Sequence, residues 1–356
     1  MSSIASPSVP PENPAPERPA ASIPQNAAEA AALPAVPLPD GGRFDVLVVG
    51  GGPAGLSCGI WLGRYLHSVA LVDSGDPRNW ETRGVNGFLG QPHVQPCELR
   101  ESGRDECRKY GVALVDACVD RVTKHDDEHF ELTLQDGRAL HGRRLCIGIG
   151  IRDVWPDVPG LGRVYGNRAH VCPDCDGYEA REKKTVVIGS GRKAVGMTLD
   201  LATWTRDITV CTNGEPPDLD DTLRAKLDAL GVEVIPDRIQ RIHFREGDLR
   251  SLEFAGRAPL GCEKIFFAIA QYPADDLGVQ LGCERDDEGR IVVDRAQHTS
   301  VWNVFAAGDI TAGPQLAIRA AADGAVAALA IHKSLLPEAL RMPERERSAI
   351  SEQRSA

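Results

Sequence analysis

An α/β fold of two doubly wound parallel-sheet units is predicted by three observations. Two passages share one grammar: an apolar strand, a glycine-rich turn, a helix and a second apolar strand. The first runs from Phe44 to Asp73 and the second from Thr185 to Thr212. Between their turns lies His170-Val171-Cys172-Pro173-Asp174-Cys175-Asp176-Gly177. The pattern closes on Val304-Phe305-Ala306-Ala307-Gly308-Asp309 and a long Ala-rich helix from Gln315 to about Leu335.

A chain of 356 residues has room for two domains. Its net charge of −11 argues against a nucleic-acid binder, and no apolar run is long enough to span a bilayer. Of the ten cysteines, Cys58, Cys97, Cys107, Cys118, Cys146, Cys211, Cys262 and Cys283 stand alone. Each is read as a buried or incidental thiol, and their scatter suits a reducing, cytoplasmic setting. Residues 1–42 are dominated by Pro, Ala and Ser without hydrophobic period. They cannot bury enough surface to offset chain entropy, so a disordered extension is expected, without the pattern of a secretory signal.

In the first passage Phe44 to Val49 reads as a strand. Gly50-Gly51-Gly52-Pro53-Ala54-Gly55 is a GxGxxG. Gly50 makes the tight turn, Gly52 lets backbone approach a pyrophosphate, and Gly55 lets the helix sit close on the strand. The helix N-terminus favours phosphate. Asp73 ends the second strand about twenty residues on, where an acid bonds a ribose hydroxyl pair. The turn points to a dinucleotide and leaves FAD and NAD both open. Asn86-Gly87-Phe88-Leu89-Gly90 is a loop able to approach a flavin. Pro96 to Tyr110 reads as an amphipathic helix, Val112 to Val122 and Phe130 to Leu134 as strands, and Leu145 to Gly150 as an apolar run closing on glycine.

Two cysteines at CxxC spacing can close a small disulfide ring, and a helix N-terminus stabilises thiolate there. Asp176 follows at once and can move the exchange proton. Half of a zinc site and two ordinary buried thiols are the other readings. A structural zinc site needs four ligands, and His170, Cys172 and Cys175 give three, so no metal is expected.

The second passage repeats the fingerprint as Gly189-Ser190-Gly191-Arg192-Lys193-Ala194, with alanine in the third glycine position. Its second strand ends Cys211-Thr212-Asn213-Gly214, with neither a ribose acid nor an arginine cluster for a 2′-phosphate. Arg192 and Lys193 either reach phosphate or stand as solvated charges at the helix start. Asp221–Leu230, Val232–Ile235 and Lys264–Ile269 continue the strand–helix pattern, and Glu284 to Arg290 reads as a return connector.

Together, the Gly50–Gly55 loop, the CxxCD of Cys172–Asp176, the Gly189–Ala194 loop and the Ala-Ala-Gly-Asp at Asp309 make the chain, from about Phe44 to Leu336, resemble the low-molecular-weight thioredoxin reductases and their flavoprotein relatives. The resemblance implies two Rossmann-like three-layer domains, the nicotinamide domain inserted in the FAD domain. The crossings are placed near Arg152 and Gly289. That gives an extension (1–42), an FAD domain (43–152 and 290–336), an NAD(P)-type domain carrying the CxxC (153–289) and a charged tail (337–356). It implies FAD at Gly50, Gly52, Pro53, Ala54, Gly55, Asp73, Asn86, Gly150, Gly308, Asp309, Gln315 and Leu316, with Asp309 on the ribityl chain. NADPH would use Gly189, Gly191, Arg192, Lys193 and Ala194.

It further implies that electrons pass from NADPH through FAD to Cys172–Cys175 and on to thioredoxin or another disulfide. Cys175 would face the flavin, Cys172 would attack the substrate and Asp176 would handle the proton, in a homodimer. Three departures stand out. Thr212-Asn213-Gly214 replaces an arginine-rich turn, Val195-Gly196 replaces acids, and Gly148-Ile149-Gly150 replaces Ala-Thr-Gly. Some relatives are dithiol oxidases, and others take electrons from ferredoxin or free flavin. The Thr-Asn-Gly turn resembles the oxidases, whereas Asp176, where they often carry histidine, resembles a reductase. A flavin-binding scaffold without turnover is the remaining reading, opposed by the intact Cys-x-x-Cys-Asp.

Overall fold

The computed structural model describes residues 42–79, 81–246 and 248–341. Apart from Gly42, the extension expected to be disordered lies outside the described residues, as do residues 342–356 of the expected tail.

The chain opens with β1 (Arg43–Val49), α1 (Pro53–Arg64), β2 (Val69–Asp73), α2 (Pro96–Lys109), β3 (Ala113–Asp116), β4 (Val119–Asp126), β5 (His129–Leu134) and β6 (Ala139–Ile147). The sheet order is β3-β2-β1-β6-β5-β4. β1, β2, β3 and β6 pair in parallel, while β4, β5 and β6 form an antiparallel meander. All five residues of β2 are buried, as expected of a parallel strand covered on both faces. Alternate residues divide between two cores. Val46, Val48, Val69 and Leu71 meet the helices, and Leu47, Val49, Ala70 and Val72 meet the meander. Each Val or Leu among them contributes roughly 1.5–3 kcal/mol by leaving water.

After β7 (Ile151–Val154) come β8 (Ala169–His170), α3 (Pro173–Asp176), β9 (Thr185–Ile188), α4 (Gly191–Leu201), β10 (Ile208–Cys211), α5 (Asp221–Ala229) and β11 (Glu233–Ile235). A small antiparallel sheet follows: β12 (Ile239–Arg245), β13 (Asp248–Phe254) and β14 (Leu260–Gly261). Then β15 (Lys264–Phe267) completes a five-stranded parallel sheet ordered β11-β10-β9-β15-β8. Val187, Val210 and Phe266 face α4 and α5, and Val186, Ile188, Ile265 and Phe267 face the small sheet. This is a second three-layer unit.

The chain returns through β16 (Ala270–Pro273), which pairs antiparallel with β7. α6 (Leu277–Gln280) follows. Leu277, Cys283 and Ile291 already pack in the first unit's core. The stretch around the crossing expected near Gly289 thus lends apolar residues to that core. β17 (Val304–Ala306) then pairs in parallel with β6, and α7 (Ala317–Leu335) packs on α1. No helix of the described residues is long and apolar enough to cross a membrane.

Candidate active site

Gly50 takes φ +111, and a Cβ on Gly55 would collide with the Gly50 carbonyl oxygen. The first turn therefore brings α1 against β1 as the fingerprint requires. No side chain caps α1, whose N-cap is Gly52, and a Cβ on Gly52 would meet nothing within 4 Å. Pro53 and Ala54 start the helix, with Ala54 also under Gly308. An uncapped helix N-terminus in open space fits the pyrophosphate of a dinucleotide.

Asp73 reaches this turn but is already held. Its carboxylate accepts from Arg100, from Arg104 at 3.2 Å and from the Gly75 amide at 3.0 Å. Arg104 also reaches Asp116 at 2.8 Å. Arg100 and Arg104 stand one helical turn apart on α2, a spacing visible in the sequence whose target was not.

Gly308 and Gly150, with φ +80 and +68, flank the C-terminal ends of β17 and β6. Asp309 joins a polar knot of five residues drawn from four stretches of the chain. Arg78 donates to Asp153 at 2.9 Å, to Asp309 at 3.3 Å and to Gln315 at 2.9 Å. Gln271 donates to Asp153 and Gln315, and Gln315 donates back to Gln271. Burial pushes the Asp309 carboxyl above its usual range, against the pull of Arg78. Leu316 is the N-cap of α7 and accepts from the Ala320 amide. Arg78, Asp153 and Gln271 escaped the sequence reading, because nothing local marks them.

Cys172 and Cys175 form a disulfide with Cα atoms 5.3 Å apart. Cys172 is the N-cap of α3, and its Sγ accepts from the Cys175 amide at 3.1 Å. Asn86 Nδ2 donates to the Cys175 carbonyl at 3.1 Å, and His93 Nδ1 lies 3.0 Å from Asn86 Oδ1. The loop expected to approach a flavin thus also holds the redox turn. Asp176 lies 3.4 Å from His170 Nδ1. Among the other cysteines six are buried, Cys118 is half-buried and Cys97 is exposed. Burial pushes the Cys107, Cys211 and Cys262 thiols up to about 12, which leaves them inert. Among the described residues no group of three or more His, Cys, Asp or Glu could hold a metal ion.

The second turn is also built, but it is partly filled. Gly189 and Gly191 have φ +150 and +59. The Gly191 amide donates to the Pro217 carbonyl at 2.9 Å, and a Cβ on Gly191 would lie 3.1 Å from an Asp218 carboxylate oxygen. Arg192 is exposed, Lys193 Nζ donates to the Ile269 carbonyl, and Ala194 is buried in the helix core. Beside the turn a cavity of about 260 Å³ is lined by Asp157, Ser190, Thr212, Asn213, Glu215 and Arg238. Arg238, half a sheet away in sequence, brings a cation to the end of β10, where the sequence showed none. It pairs with Asp157 at 3.2 Å.

The pyridine nucleotide-disulphide oxidoreductase family model matches residues 44–324. A probable thioredoxin reductase of Arthroderma benhamiae is 29% identical over 83% of this chain and 81% of its own length. The crystal structure of HlmI shares 35% identity at a TM-score of 0.78, covering 82% of this chain and 92% of that one. A putative thioredoxin reductase, TrxB of Bacillus anthracis, shares 30% identity at a TM-score of 0.77, covering 82% and 98%.

Proposed function

We propose a function from one premise: this chain belongs to the pyridine nucleotide-disulphide oxidoreductase family and is an FAD-dependent oxidoreductase of the thioredoxin reductase-like type. Within that frame it passes an electron pair from NADPH to the Cys172–Cys175 disulfide and on to thioredoxin or a similar disulfide substrate. The observation that carries this reading is the disulfide itself, at the N-terminus of α3, next to Asp176 and tied through Asn86 to the loop of the first unit.

FAD would be held by Gly50, Gly52, Pro53, Ala54 and Gly55 at its pyrophosphate, by Asp73 at a ribose and by Asp309 on its ribityl chain. Asn86, Gly150, Gly308, Gln315 and Leu316 would line the rest. When bound, FAD takes and gives the electron pair. The chain's own groups do the remaining work. The amides at the start of α3 stabilise thiolate at Cys172. Cys175 takes the flavin side and Asp176 moves the proton. Residues 43–152 and 290–336 form the FAD domain, and residues 153–289 form the NAD(P)-type domain that carries the CxxC. A homodimer in the cytoplasm completes the proposal.

NADPH gains support from Arg238 in the cavity beside the second turn, a cation suited to a 2′-phosphate. A second reading is favoured by Pro217 and Asp218, which already engage the turn where the nucleotide's pyrophosphate belongs. There the enzyme is a dithiol oxidase, or a reductase fed by ferredoxin or free flavin. Anaerobic titration of the yellow holoenzyme tests both. Bleaching by NADPH on a catalytic timescale, with turnover restored by thioredoxin, supports the first. Bleaching by a small dithiol, ferredoxin or free flavin, but not by NADPH, overturns it in favour of the second.

A further inference from the structure

Behind the disulfide lies a buried chain of proton-carrying groups that the reading above leaves unused. Lys264, the first residue of β15, is 3% exposed. Its Nζ lies 3.0 Å from His170 Nε2 and donates to the Asn167 carbonyl at 3.0 Å. His170 ends the neighbouring strand β8 and is 5% exposed. Its other nitrogen, Nδ1, lies 3.4 Å from Asp176 Oδ2, and Asp176 adjoins Cys175. β8 pairs with β15 at Phe266↔His170, so the sheet register holds the imidazole beside the lysine.

We propose that Lys264 is a positioning residue that stores a proton for the Cys172–Cys175 couple and exchanges it with Asp176 through His170. With the proton on Nδ1, the imidazole accepts from the Lys264 ammonium at Nε2 and donates toward Asp176 at Nδ1. The ring can therefore pass a proton by taking one at one nitrogen and releasing one at the other.

Breaking the S–S bond with one electron pair leaves a pair on each sulfur, equal to two thiolates. The flavin couple of the proposed activity supplies both electrons and one proton, which makes one thiol. The second sulfur takes its proton through the Asp176 carboxylate, which relays it from His170 Nδ1–H, and the Lys264 ammonium restores a proton to His170 at Nε2. Lys264 ends as a neutral amine and is recharged from solvent. Dithiol oxidation runs the same steps backwards, so the relay does not depend on the electron donor. It rests only on the reading of Cys172–Cys175 as the working redox couple.

The surroundings suit an amine that changes charge near neutral pH. Burial pushes the Lys264 ammonium down to about 8, and Arg168 and Lys183 add to the fall. Asp176 and Glu179 oppose it. One Glu179 carboxylate oxygen is buried without a hydrogen-bond partner among the described residues, a further acceptor near the relay.

The test uses the FAD-loaded enzyme. It is reduced anaerobically, and its reoxidation by a small aromatic disulfide is followed in single turnover from pH 6 to 10. The wild type is expected to show a break near pH 8. Lys264→Met and Lys264→Arg both lose that break and slow the step on the order of tenfold at pH 7, since neither side chain can exchange a proton in this range. Arg keeps the charge, so a purely electrostatic or structural role would be rescued by Lys264→Arg. That rescue, or an unchanged pH profile in Lys264→Met, overturns the relay. If both variants lose the flavin, the wild type decides. NMR of lysine labelled at Cε must show Lys264 titrating between pH 7 and 9, at a midpoint that moves when the disulfide opens. A lysine charged up to pH 10 in both states overturns the proposal. Failure of Cys172–Cys175 to open with two electrons in the wild type sinks the underlying reading instead, whatever Lys264 does.

Discussion

The two glycine-rich turns of this molecule share a motif and differ in access. Around Gly50–Gly55 the backbone amides of α1 open onto free space, and Asp73 is braced from behind by two arginines. Around Gly189–Ala194 the turn has the same shape, but the β10–α5 segment reaches over it through the Pro217 carbonyl and Asp218. The contrast teaches that a GxGxx(G/A) sequence specifies how a helix meets a strand. Whether a phosphate can reach that helix depends on a segment about twenty-five residues further along. The buried charges differ as well. In the first unit Arg104 sits between two carboxylates, whereas in the second Lys264 faces an imidazole and a carbonyl.

The comparison breaks most decisively at the first turn. Gly55→Val forces a side chain into the Gly50 carbonyl, and the purified protein should lack flavin absorbance at 450 nm, roughly the visible band of any flavin. At the matching position of the second turn, Ala194→Gly should cost only about 1 kcal/mol of helix stability and leave the flavin in place. Equal loss of colour in both variants would show that the turns are equivalent.

Next in size is the braced carboxylate. Arg104→Leu leaves Asp73 buried with less compensation and should destabilise the protein by about 3 kcal/mol, read from urea unfolding of the holoenzyme. A loss below about 0.5 kcal/mol would mean that Arg100 alone suffices.

Arg238→Ala should lower the preference for NADPH over NADH about tenfold in kcat/KM, with little change for NADH itself. Equal losses for both nucleotides would remove Arg238 from any role at the 2′-phosphate.

The buried lysine gives a pH signature on stability. Its pKa in the folded chain is about 8, against about 10.4 when unfolded. Between these values the unfolded chain binds more protons, so the Lys264 contribution to stability rises with pH. Below about pH 8 folding carries the full cost of burying the charge. Lys264→Met should therefore compare best with wild type at pH 7 and lose ground steadily toward pH 10 in thermal melts. A pH-independent difference would contradict the shift.

The smallest effect is expected at the covered turn. Asp218→Ala removes a carboxylate from beside the Gly191 amide and should tighten NADPH binding about threefold to fivefold, or about 1 kcal/mol. Unchanged affinity, measured by calorimetry on the oxidised enzyme, would mean that the segment swings clear without hindrance.

Much of this was legible in advance, for definite reasons. β1, β2, β9 and β10 are short strands of parallel sheets with largely apolar runs, and each glycine turn punctuates one. α7 announces itself by its alanines. The small sheet β12-β13-β14 was not read, because its alternation is diluted by Arg241, Arg245 and Arg250 on the outer face. The charged run from Glu284 to Arg290 looks like a linker, whereas Leu277, Cys283 and Ile291 around it are core. The candidate site was legible wherever chemistry lies in one stretch, as at Cys172–Asp176. It was opaque at Arg78, Asp153 and Gln271, which join Asp309 and Gln315 from three distant segments. Lys264 reads as the polar start of an ordinary strand, and nothing in the sequence says that it points inward.

One contact gives this architecture a mechanical side. At the far end of α4 the Trp204 ring lies so close to Gly177 that a Cβ there would collide with it, pressing the end of that helix onto the CxxC turn. α4 is thus a stiff strut of about 16 Å, by 1.5 Å per residue, whose two ends are the second glycine turn and the disulfide. Trimming Trp204 to a small residue would leave both termini of the helix intact and remove the contact that joins it to the CxxC turn.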